Sequence, residues 1–364
     1  MQVFRGIPER AQSAVALTIG NFDGVHRGHQ ALIRKLREAA GKFGLPAALM
    51  TFEPHPREFF APANAPTRLS SLREKLELLE ECGVDRVYVF RFDREFAALM
   101  PAAFIEDILV RGLGTRWLAV GDDFRFGAKR AGDFAMLQTA SDEFGFRLES
   151  LPTVEIDGHR VSSSAVRAAL AAGDLPTAQR LLGRNYGISG RVVQGDQLGR
   201  ELGFPTANVQ LKHNRPPLTG IYAVEVRGLA PTALSGAASL GVRPTINDDG
   251  RATLEVHLLD FDADVYGKHV WVDFVSKIRD EEKYPDLDAL KAQIAKMEGN
   301  ATKRFGRLAI RAGLAELDLT DADLLRELLA IAARFRNGSE IAASDGAHAP
   351  LPGGQDEKEA RHGR

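Results

Sequence analysis

The sequence predicts an α/β domain with a parallel sheet, followed by an all-β domain, and three observations support this fold class. Between about residues 14 and 155, short β-branched runs alternate with longer segments of helical period, which is typical of a parallel sheet covered by helices. From Tyr186 to Ile278, glycines and prolines separate short strand-like runs, as in a small antiparallel barrel or sandwich. No internal repeat relates the two parts, so we expect two different domains that meet near residue 185.

Composition excludes several classes of protein. The 364 residues are 44% hydrophobic and 26% charged, and 47 basic side chains balance 49 acidic ones, which argues against nucleic-acid binding through a broad basic face. The longest apolar runs, such as Ala14–Ile19, are far shorter than the roughly 20 residues that span a bilayer. Residues 1–10 contain no apolar core of a signal peptide, and Cys82 has no second cysteine to pair with. We therefore expect a cytoplasmic protein without a membrane partner.

The N-terminal part is expected to contain five strands with helices between them. The strands are short apolar, β-branched or aromatic runs, expected at Val15–Ile19, Ala47–Phe52, Arg86–Phe90, Trp117–Val120 and near Arg147–Glu155. The helices repeat apolar residues every three to four positions and are expected at Gln30–Phe43, Leu72–Cys82, Pro101–Arg111 and Gly132–Phe144.

Three further signals mark the end of this part. Asp157-Gly158 is a turn dipeptide, and a short helix is expected after the serines at 162–164, which are candidate N-caps. Asp174–Leu182 has the pattern of a connecting helix.

The all-β part is expected to have strands at Tyr222–Val226, Leu254–Leu259 and Val270–Val275, and a helix at Leu287–Met297 that covers one open end. Thr320–Phe335 is a candidate amphipathic helix with leucines on one side. Asn337–Arg364 is rich in glycine and proline and almost free of large apolar side chains, so disorder is expected there. The expected domains are therefore residues 1–184, 185–312, 313–336 and 337–364.

The first candidate site is the segment Leu17–His29, which joins a buried strand to a helix. It carries Gly20, Gly24 and Gly28 and places His26 three residues before His29. Glycines let the backbone approach an anion, a helix N-terminus presents unpaired N–H groups, and imidazoles donate hydrogen bonds to phosphate oxygens. The pattern favours a polyphosphate site. The alternative is a tight turn whose histidines only cap and pack.

The second part of this site is Val161–Arg167, where serine hydroxyls again precede a helix. Ser163, Ser164 and Arg167 are the candidate anion-binding residues. Alone, this segment is more typical of an ordinary N-cap and a solvated arginine.

Taken together, these two segments resemble the His-x-Gly-His and Ile-Ser-Ser-Thr-x-x-Arg signatures of the nucleotidyltransferase superfamily, and in particular the bacterial bifunctional riboflavin kinase/FMN adenylyltransferase family. Thr51–Pro56 and Gly121–Gly127 are similar to further segments of that family. Val161 and Ser164 depart from the usual isoleucine and threonine but keep the branched shape and the hydroxyl.

This resemblance implies a Rossmann-like domain in which the phosphate of FMN attacks the α-phosphorus of ATP and pyrophosphate leaves. His26, His29 and Arg167 would stabilise the triphosphate, with Mg²⁺ bridging phosphate oxygens. The remaining expected nucleotide, phosphate and flavin contacts are Gly20, Asn21, Phe22, Asp23, Gly28, Ser163, Ser164, Asp123 and Phe124. Asp23 is equally suited to orienting the turn.

The all-β part contains a second candidate site, in Gly190–Asn208. This segment lacks a Walker lysine, but its loop glycines Gly195, Gly199 and Gly203 could wrap phosphates with backbone N–H groups. Thr206 and Asn208 are two residues apart, so on a strand they share one side and can hold Mg²⁺. The alternative is a plain hairpin with a strand-edge proline.

Leu202–Asn208, Gly241–Thr245, Leu254–Phe261 and Ile278–Glu282 are similar, in order and spacing, to the riboflavin kinase module. The resemblance implies a six-stranded antiparallel barrel in which Glu255 is the general base for the riboflavin hydroxyl and Arg279 belongs to a flap over the flavin. Without the resemblance, Glu255 fits a solvated strand residue. The insertion at Met297–Asn300 departs from the family pattern.

The sequence therefore predicts an enzyme that converts riboflavin to FMN and FMN to FAD with Mg-ATP. One alternative is a nucleotidyltransferase acting on phosphopantetheine or a nicotinate nucleotide, against which the second domain argues. Another is a flavin-storage protein without turnover. The sequence leaves open whether the chain is a monomer or self-associates weakly.

Overall fold

The computed structural model describes residues 1–6, 8–195, 205–212, 215–242 and 252–280. Six parallel strands form one sheet in the N-terminal part. They are β1 (Gln2–Arg5), β2 (Val15–Ile19), β3 (Ala47–Glu53), β4 (Arg86–Arg91), β5 (Thr115–Gly121) and β6 (Arg147–Leu151). All five residues of β2 are buried, as expected for a parallel strand that is covered on both faces.

Helices cover both faces of this sheet. They are α1 (Arg27–Phe43), α2 (Pro56–Phe60), α3 (Leu72–Glu81), α4 (Arg94–Ala98), α5 (Pro101–Ala103, continued by π-helical turns over Phe104–Gly112), α6 (Phe134–Phe144), α7 (Ser163–Ala171) and α8 (Leu175–Leu182). Leu36 of α1 and Leu79 of α3 pack on one face, whereas Leu109 and Leu137 pack on the other. The sheet therefore separates two apolar cores.

The order of the strands, β1-β4-β3-β2-β5-β6, reverses direction between β2 and β5. A crevice opens at such a point beyond the carboxyl ends of the strands, and ligands bind there in open α/β sheets. The histidine segment follows β2 and Asp123 follows β5. The topology therefore brings both candidate elements to one crevice.

A short hairpin, β7 (Glu155–Ile156) with β8 (His159–Arg160), connects the sheet to α7. Its turn is the expected Asp157-Gly158, where both residues have positive φ, 54° and 75°. This is the backbone geometry that the Asp-Gly dipeptide favours.

The C-terminal part is a closed barrel with strand order β10-β13-β12-β11-β14-β9. Its strands are β9 (Tyr186–Val193), β10 (Thr206–Gln210), β11 (Gly220–Arg227), β12 (Leu234–Val242), β13 (Ala252–Leu258) and β14 (His269–Arg279). Along β13, Leu254, Val256 and Leu258 are buried in the core, and the residues between them are half-buried. Glu255 and His257 therefore lie on the outer face of the barrel.

The expected fold class is confirmed, with several local corrections. The predicted strand near Arg147–Glu155 ends at Leu151. The predicted helix from Gly132 begins at Phe134, because Gly132 pairs with Phe126 in a β-bridge. β1, α2 and α4 were not expected. The predicted helices Leu287–Met297 and Thr320–Phe335, the tail from Asn337 and the insertion at Met297–Asn300 lie outside the described residues.

The barrel core continues into the N-terminal part. Leu170 of α7 and Leu182 of α8 belong to the same apolar cluster as Ile188 and Val272 of the barrel. The carboxylate of Glu74 on α3 accepts a hydrogen bond from the Ser189 amide at 2.6 Å. The two parts thus share buried contacts at their junction. Among the described residues, no helix is both long and apolar enough to span a bilayer.

Candidate active sites

The histidine segment, residues 20–29, forms a tight turn between β2 and α1. Gly24 has φ +81°, and a Cβ atom there would lie 2.8 Å from the Leu69 side chain, so the turn requires glycine at this position. Phe22 and Val25 also have positive φ, 48° and 40°, which is uncommon for such residues and is found at functional sites. Phe22 is fully buried, so it supports the turn from below.

Asp23 anchors this turn. Its buried carboxylate accepts hydrogen bonds from the backbone amides of Leu69 and Ser70, each at 3.0 Å, and pairs with the guanidinium of Arg167. The hydroxyl of Ser163 donates to the Asp23 carbonyl at 3.0 Å. Of the two roles considered for Asp23, this geometry favours orienting the turn. It also joins the two signature segments, which are far apart in sequence.

The two histidines are stacked, with ring centroids 3.7 Å apart and planes 14° from parallel. His26 is the N-cap of α1, because its Nδ1 accepts the His29 amide at 3.3 Å. His26 therefore has the capping role that the alternative interpretation, a tight turn with structural histidines, assigned to it. Burial lowers the pKa of His26 to about 4. Burial, followed by the nearby charge of His26, lowers the pKa of His29 well below its usual value, so both rings are neutral near pH 7.

Two polar atoms at this turn are left without partners. In the part of the chain that the structure describes, Asn21 Oδ1 and His29 Nδ1 are buried and accept or donate no hydrogen bond. Buried polar atoms are nearly always satisfied in folded proteins. Both atoms are therefore open to a hydrogen bond with water or with a polar ligand at the turn.

Arg167 is held firmly, not solvated as in the alternative interpretation. Its side chain is 15% exposed and paired with Asp23, and its Nε donates to the Thr67 carbonyl at 2.5 Å. The helix cap is Ser162, whose hydroxyl accepts the Ala165 amide at 3.2 Å. Ser164 is exposed on the first turn of α7.

A cleft of about 930 Å³ opens beside the turn and is rich in phenylalanines. The predicted residues Gly20, Asn21, Asp123 and Phe124 lie in its wall. So do four phenylalanines that sequence reasoning missed, Phe60, Phe92, Phe96 and Phe104. Aromatic rings around a concave site suit a planar ring system. The sequence signal that could have identified them is the clustering of phenylalanines after β3 and β4.

Charges lie at the rim of this cleft. Asp123 is exposed and forms an ion pair with Arg160 at 2.6 Å. Lys129 and Arg130 line the same cleft and both have positive φ, 53° and 58°. The cleft can therefore take a ligand that is apolar at one end and anionic at the other.

Sequence reasoning also missed Arg184, in the segment between α8 and β9. Its Nη2 donates to the Gly24 carbonyl at 2.8 Å, and its Nη1 donates to the Val25 carbonyl at 3.2 Å. Nothing in the sequence around Arg184 distinguishes it from a solvated linker arginine, because its partners lie about 160 residues away.

The barrel site is assembled by strand register. Asn208 of β10 lies opposite Glu255 of β13, Glu255 lies opposite Ser239 of β12, and directly paired residues point to the same side of a sheet. Thr206 is two residues before Asn208 on β10, so it shares that side. The predicted metal ligands and the predicted base are thus neighbours on the outer face of the barrel.

Two other predicted residues of the barrel site, Gly195 and Arg279, are among the described residues. A side chain at Gly195 would collide with Asn208, and both line a cavity of about 400 Å³ with Thr206. Arg279 ends β14 opposite Ile221, which in turn lies opposite Ser239. Arg279 is therefore at the level of Glu255 but three strands away. Gly199, Gly203 and residues 243–250 lie outside the described residues.

The fold and the two sites define a class of protein: a nucleotidyltransferase-like α/β domain joined to a six-stranded barrel with its own candidate phosphate site. The family model of FAD synthetase matches residues 8–165 and that of riboflavin kinase matches residues 182–305. A model of a TraC-like protein matches residues 277–358.

Relatives of known function resemble nearly the whole of both domains. The bifunctional riboflavin kinase/FMN adenylyltransferase of Escherichia coli (strain K12) is 53% identical over 309 residues, which cover 84% of this chain and 98% of the relative. That of Haemophilus influenzae is 50% identical over 298 residues, covering 81% and 96%. A crystal structure described as a macrolide-efflux protein from Streptococcus pneumoniae superposes with a TM-score of 0.70 at 29% identity, covering 82% and 98%.

The chain belongs to the family of bifunctional riboflavin kinase/FMN adenylyltransferases. This confirms the expected combination of a riboflavin kinase and an FMN adenylyltransferase in one chain.

Proposed function

We propose that the chain makes FAD from riboflavin in two ATP-dependent steps, the first at the outer face of the barrel and the second at the histidine turn. The observation that carries the assignment of the second step is the stacked pair His26 and His29, with the unpartnered His29 Nδ1 and Asn21 Oδ1 beside the aromatic cleft. A nucleotide triphosphate at the turn and a flavin in the cleft would satisfy both features.

In the adenylylation step, a phosphate oxygen of FMN attacks the α-phosphorus of ATP and pyrophosphate leaves. Both imidazoles are neutral, so they donate hydrogen bonds to phosphate oxygens without adding a proton to the leaving group. Arg167 is fixed by Asp23 and Thr67 through Nη2 and Nε, which leaves Nη1 for a phosphate oxygen. Catalysis of this kind depends on positioning and charge stabilisation.

We assign the remaining predicted residues of this site to binding the substrates and to supporting the turn. The backbone at Gly20 and Gly28 and the segment at Ser163 and Ser164 border the phosphates. Asn21, Asp123 and Phe124 contact the flavin or the nucleotide, since they lie in or beside the cleft. Phe22 and Asp23 act through the turn, which is supported by their burial.

In the kinase step, Glu255 accepts the proton of the riboflavin 5′-hydroxyl as that oxygen attacks the γ-phosphorus of ATP and ADP leaves. Gly195, with Gly199 and Gly203, borders the phosphates, and Arg279 contacts the flavin. The assignment is supported by the register that places Glu255 opposite Asn208.

Mg²⁺ is proposed for both steps, and the donors at the barrel site fit it. Thr206 and Asn208 supply neutral oxygens on one side of β10 beside the Glu255 carboxylate, which is a donor set suited to a hard cation that is also bound by phosphate oxygens. Within the described ranges, no three or more His, Cys, Asp or Glu side chains form a metal cluster. When bound, the ion neutralises charge on the phosphate oxygens.

We further propose residues 1–184 as the adenylyltransferase domain and residues 185–312 as the kinase domain. The two segments expected after them, 313–336 and 337–364, lie outside the described residues. The start of β9 at Tyr186 supports the first boundary. We also propose a cytoplasmic location, with small-molecule substrates and no membrane partner. The near-neutral charge of −2 supports the absence of a nucleic-acid partner.

The test is chromatography of flavins after the protein is mixed with riboflavin and ATP, with MgCl₂ or with a chelator in excess. We expect FMN and then FAD with MgCl₂, and neither with the chelator. Unchanged riboflavin in the presence of MgCl₂ would support the storage-protein alternative instead.

A further inference from the structure

Lys75 is a buried cation that forms no ion pair with the residues the structure describes. It lies on the apolar face of α3, between Leu72 and Leu79, and is 4% exposed. Its ammonium contacts the Thr51 hydroxyl at 3.4 Å, and among the described residues it forms no ion pair. A buried charge is costly unless a partner neutralises it, so the position of Lys75 requires an explanation.

The carboxylates that act most strongly on Lys75 are already occupied. Burial lowers the pKa of Lys75, and the carboxylates that oppose this effect are Asp23, Glu53 and Glu58. Asp23 is paired with Arg167. Glu53 accepts two hydrogen bonds from Arg68, at 2.7 and 3.0 Å, and Glu58 is paired with the same guanidinium. The charge of Lys75 is therefore available to an incoming anion.

Lys75 also faces the nucleotide site. Thr51, at the carboxyl end of β3, contacts the Asn21 carbonyl through its hydroxyl at 3.2 Å. The charge of Lys75 also contributes to the lowered pKa of His29, after burial and the charge of His26. Through Thr51, an ammonium that forms no ion pair among the described residues is thus linked to the turn that carries Asn21 Oδ1 and His29 Nδ1, two buried atoms with no hydrogen-bond partner there.

We propose that Lys75 is a further catalytic residue of adenylyl transfer, whose ammonium donates a hydrogen bond to a phosphate oxygen of ATP. This rests on the proposed function of the histidine turn. As the FMN phosphate oxygen bonds to the α-phosphorus, the bond from that phosphorus to the bridging oxygen breaks, and pyrophosphate leaves with the electron pair. Lys75 stabilises the developing charge and exchanges no proton in this step.

The test compares Lys75→Met with Lys42→Met, a matched control at an exposed lysine near the end of α1. FAD formation from FMN, riboflavin phosphorylation and the thermal midpoint are measured on the same preparations. For Lys75→Met we expect FAD formation to fall about 10²- to 10³-fold, the usual effect of losing one preorganised donor. Riboflavin phosphorylation should stay within about twofold, and the midpoint should not fall, because an unpaired buried charge is removed.

A second variant, Lys75→Gln, keeps a polar contact with Thr51 but removes the charge, and we expect the same loss. Pyrophosphate, the product of the step, inhibits FAD synthesis by binding the same site. If Lys75 contacts these phosphates, half-inhibition of the residual FAD synthesis should require more pyrophosphate in both Lys75 variants than in Lys42→Met. FAD formation within a few-fold of the parent would overturn the proposal. So would a lowered midpoint in both Lys75 variants with parallel loss of both activities, which would make Lys75 structural. If the parent and Lys42→Met also make no FAD from FMN, the proposed function itself fails.

Discussion

Arg184 donates a hydrogen bond from Nη2 to the carbonyl oxygen of Gly24, over 2.8 Å. Gly24 belongs to the histidine turn, whereas Arg184 lies two residues before the first strand of the barrel. Its guanidinium is largely buried, and this burial lowers its pKa. The segment that joins the two domains therefore also holds the backbone of the histidine turn, the proposed adenylylation site.

Arg184→Gln should lower FAD formation from FMN by about 10- to 100-fold, because a displacement of about 1 Å in a catalytic turn has an effect of this size. Riboflavin phosphorylation should be nearly unchanged. Arg180→Gln, at an exposed arginine on α8, is the control. Initial rates of both reactions check the prediction, and equal rates for the two variants would contradict it.

Glu255→Gln should lower FMN formation by about 10²-fold or more, the scale expected for a positioned general base. FAD formation from supplied FMN should persist. Glu225→Gln, on β11 and two strands from β13, is the matched control. Kinase turnover within a few-fold of the parent in Glu255→Gln would remove this residue from the role of base.

His29→Ala should lower FAD formation about 10²- to 10³-fold and leave riboflavin phosphorylation intact, so that FMN accumulates. A histidine that only packs against His26 and Phe22 would affect stability instead. The measurement pairs the thermal midpoint with FAD synthesis at saturating FMN and ATP, with the exposed His159→Ala as control. A lowered midpoint with normal turnover per folded molecule would make His29 a support of the turn.

Acid should destabilise the histidine turn through His26. Its pKa is about 4 in the folded chain, against 6.5 for the ordinary group, so the unfolded chain binds more protons between these values. The free energy of unfolding therefore falls as pH drops from about 6.5 to 4, by roughly 3 kcal/mol at most from this group. Thermal midpoints from pH 7 to pH 4 should fall more steeply for the parent than for His26→Gln. Parallel curves would show that His26 is not buried in its neutral form.

Local patterns in the sequence predicted much of the fold and part of the sites. The run Val15–Ile19 and the apolar period after His29 mark a strand and a helix because each element is determined by neighbouring residues. The contact between Asp23 and Arg167 joins segments 144 residues apart. The family resemblance assigned both segments to one site but did not predict this contact.

The remaining contacts could not be predicted in the same way. Lys75 lies on the apolar face of its helix. A charged residue among apolar positions was a sequence signal of a functional role, but it was not used. Arg184 and the cleft phenylalanines depend on how distant elements pack. The expectation of two different domains also did not foresee that Leu182 and Ile188 share one apolar cluster across the boundary. A residue buried between two domains has the same sequence pattern as a residue buried within one.

The central claim is that two separate sites on this chain perform successive reactions, and a mixing experiment tests it most directly. Glu255→Gln and His29→Ala are each incubated with riboflavin, ATP and MgCl₂, alone and together, and the flavins are separated by chromatography. We predict little FMN or FAD from the first variant, FMN alone from the second, and FAD from the mixture, since the FMN made by one variant is adenylylated by the other. FMN without FAD in the mixture would contradict the claim, because it would mean that the Glu255 substitution also damages the adenylylation site.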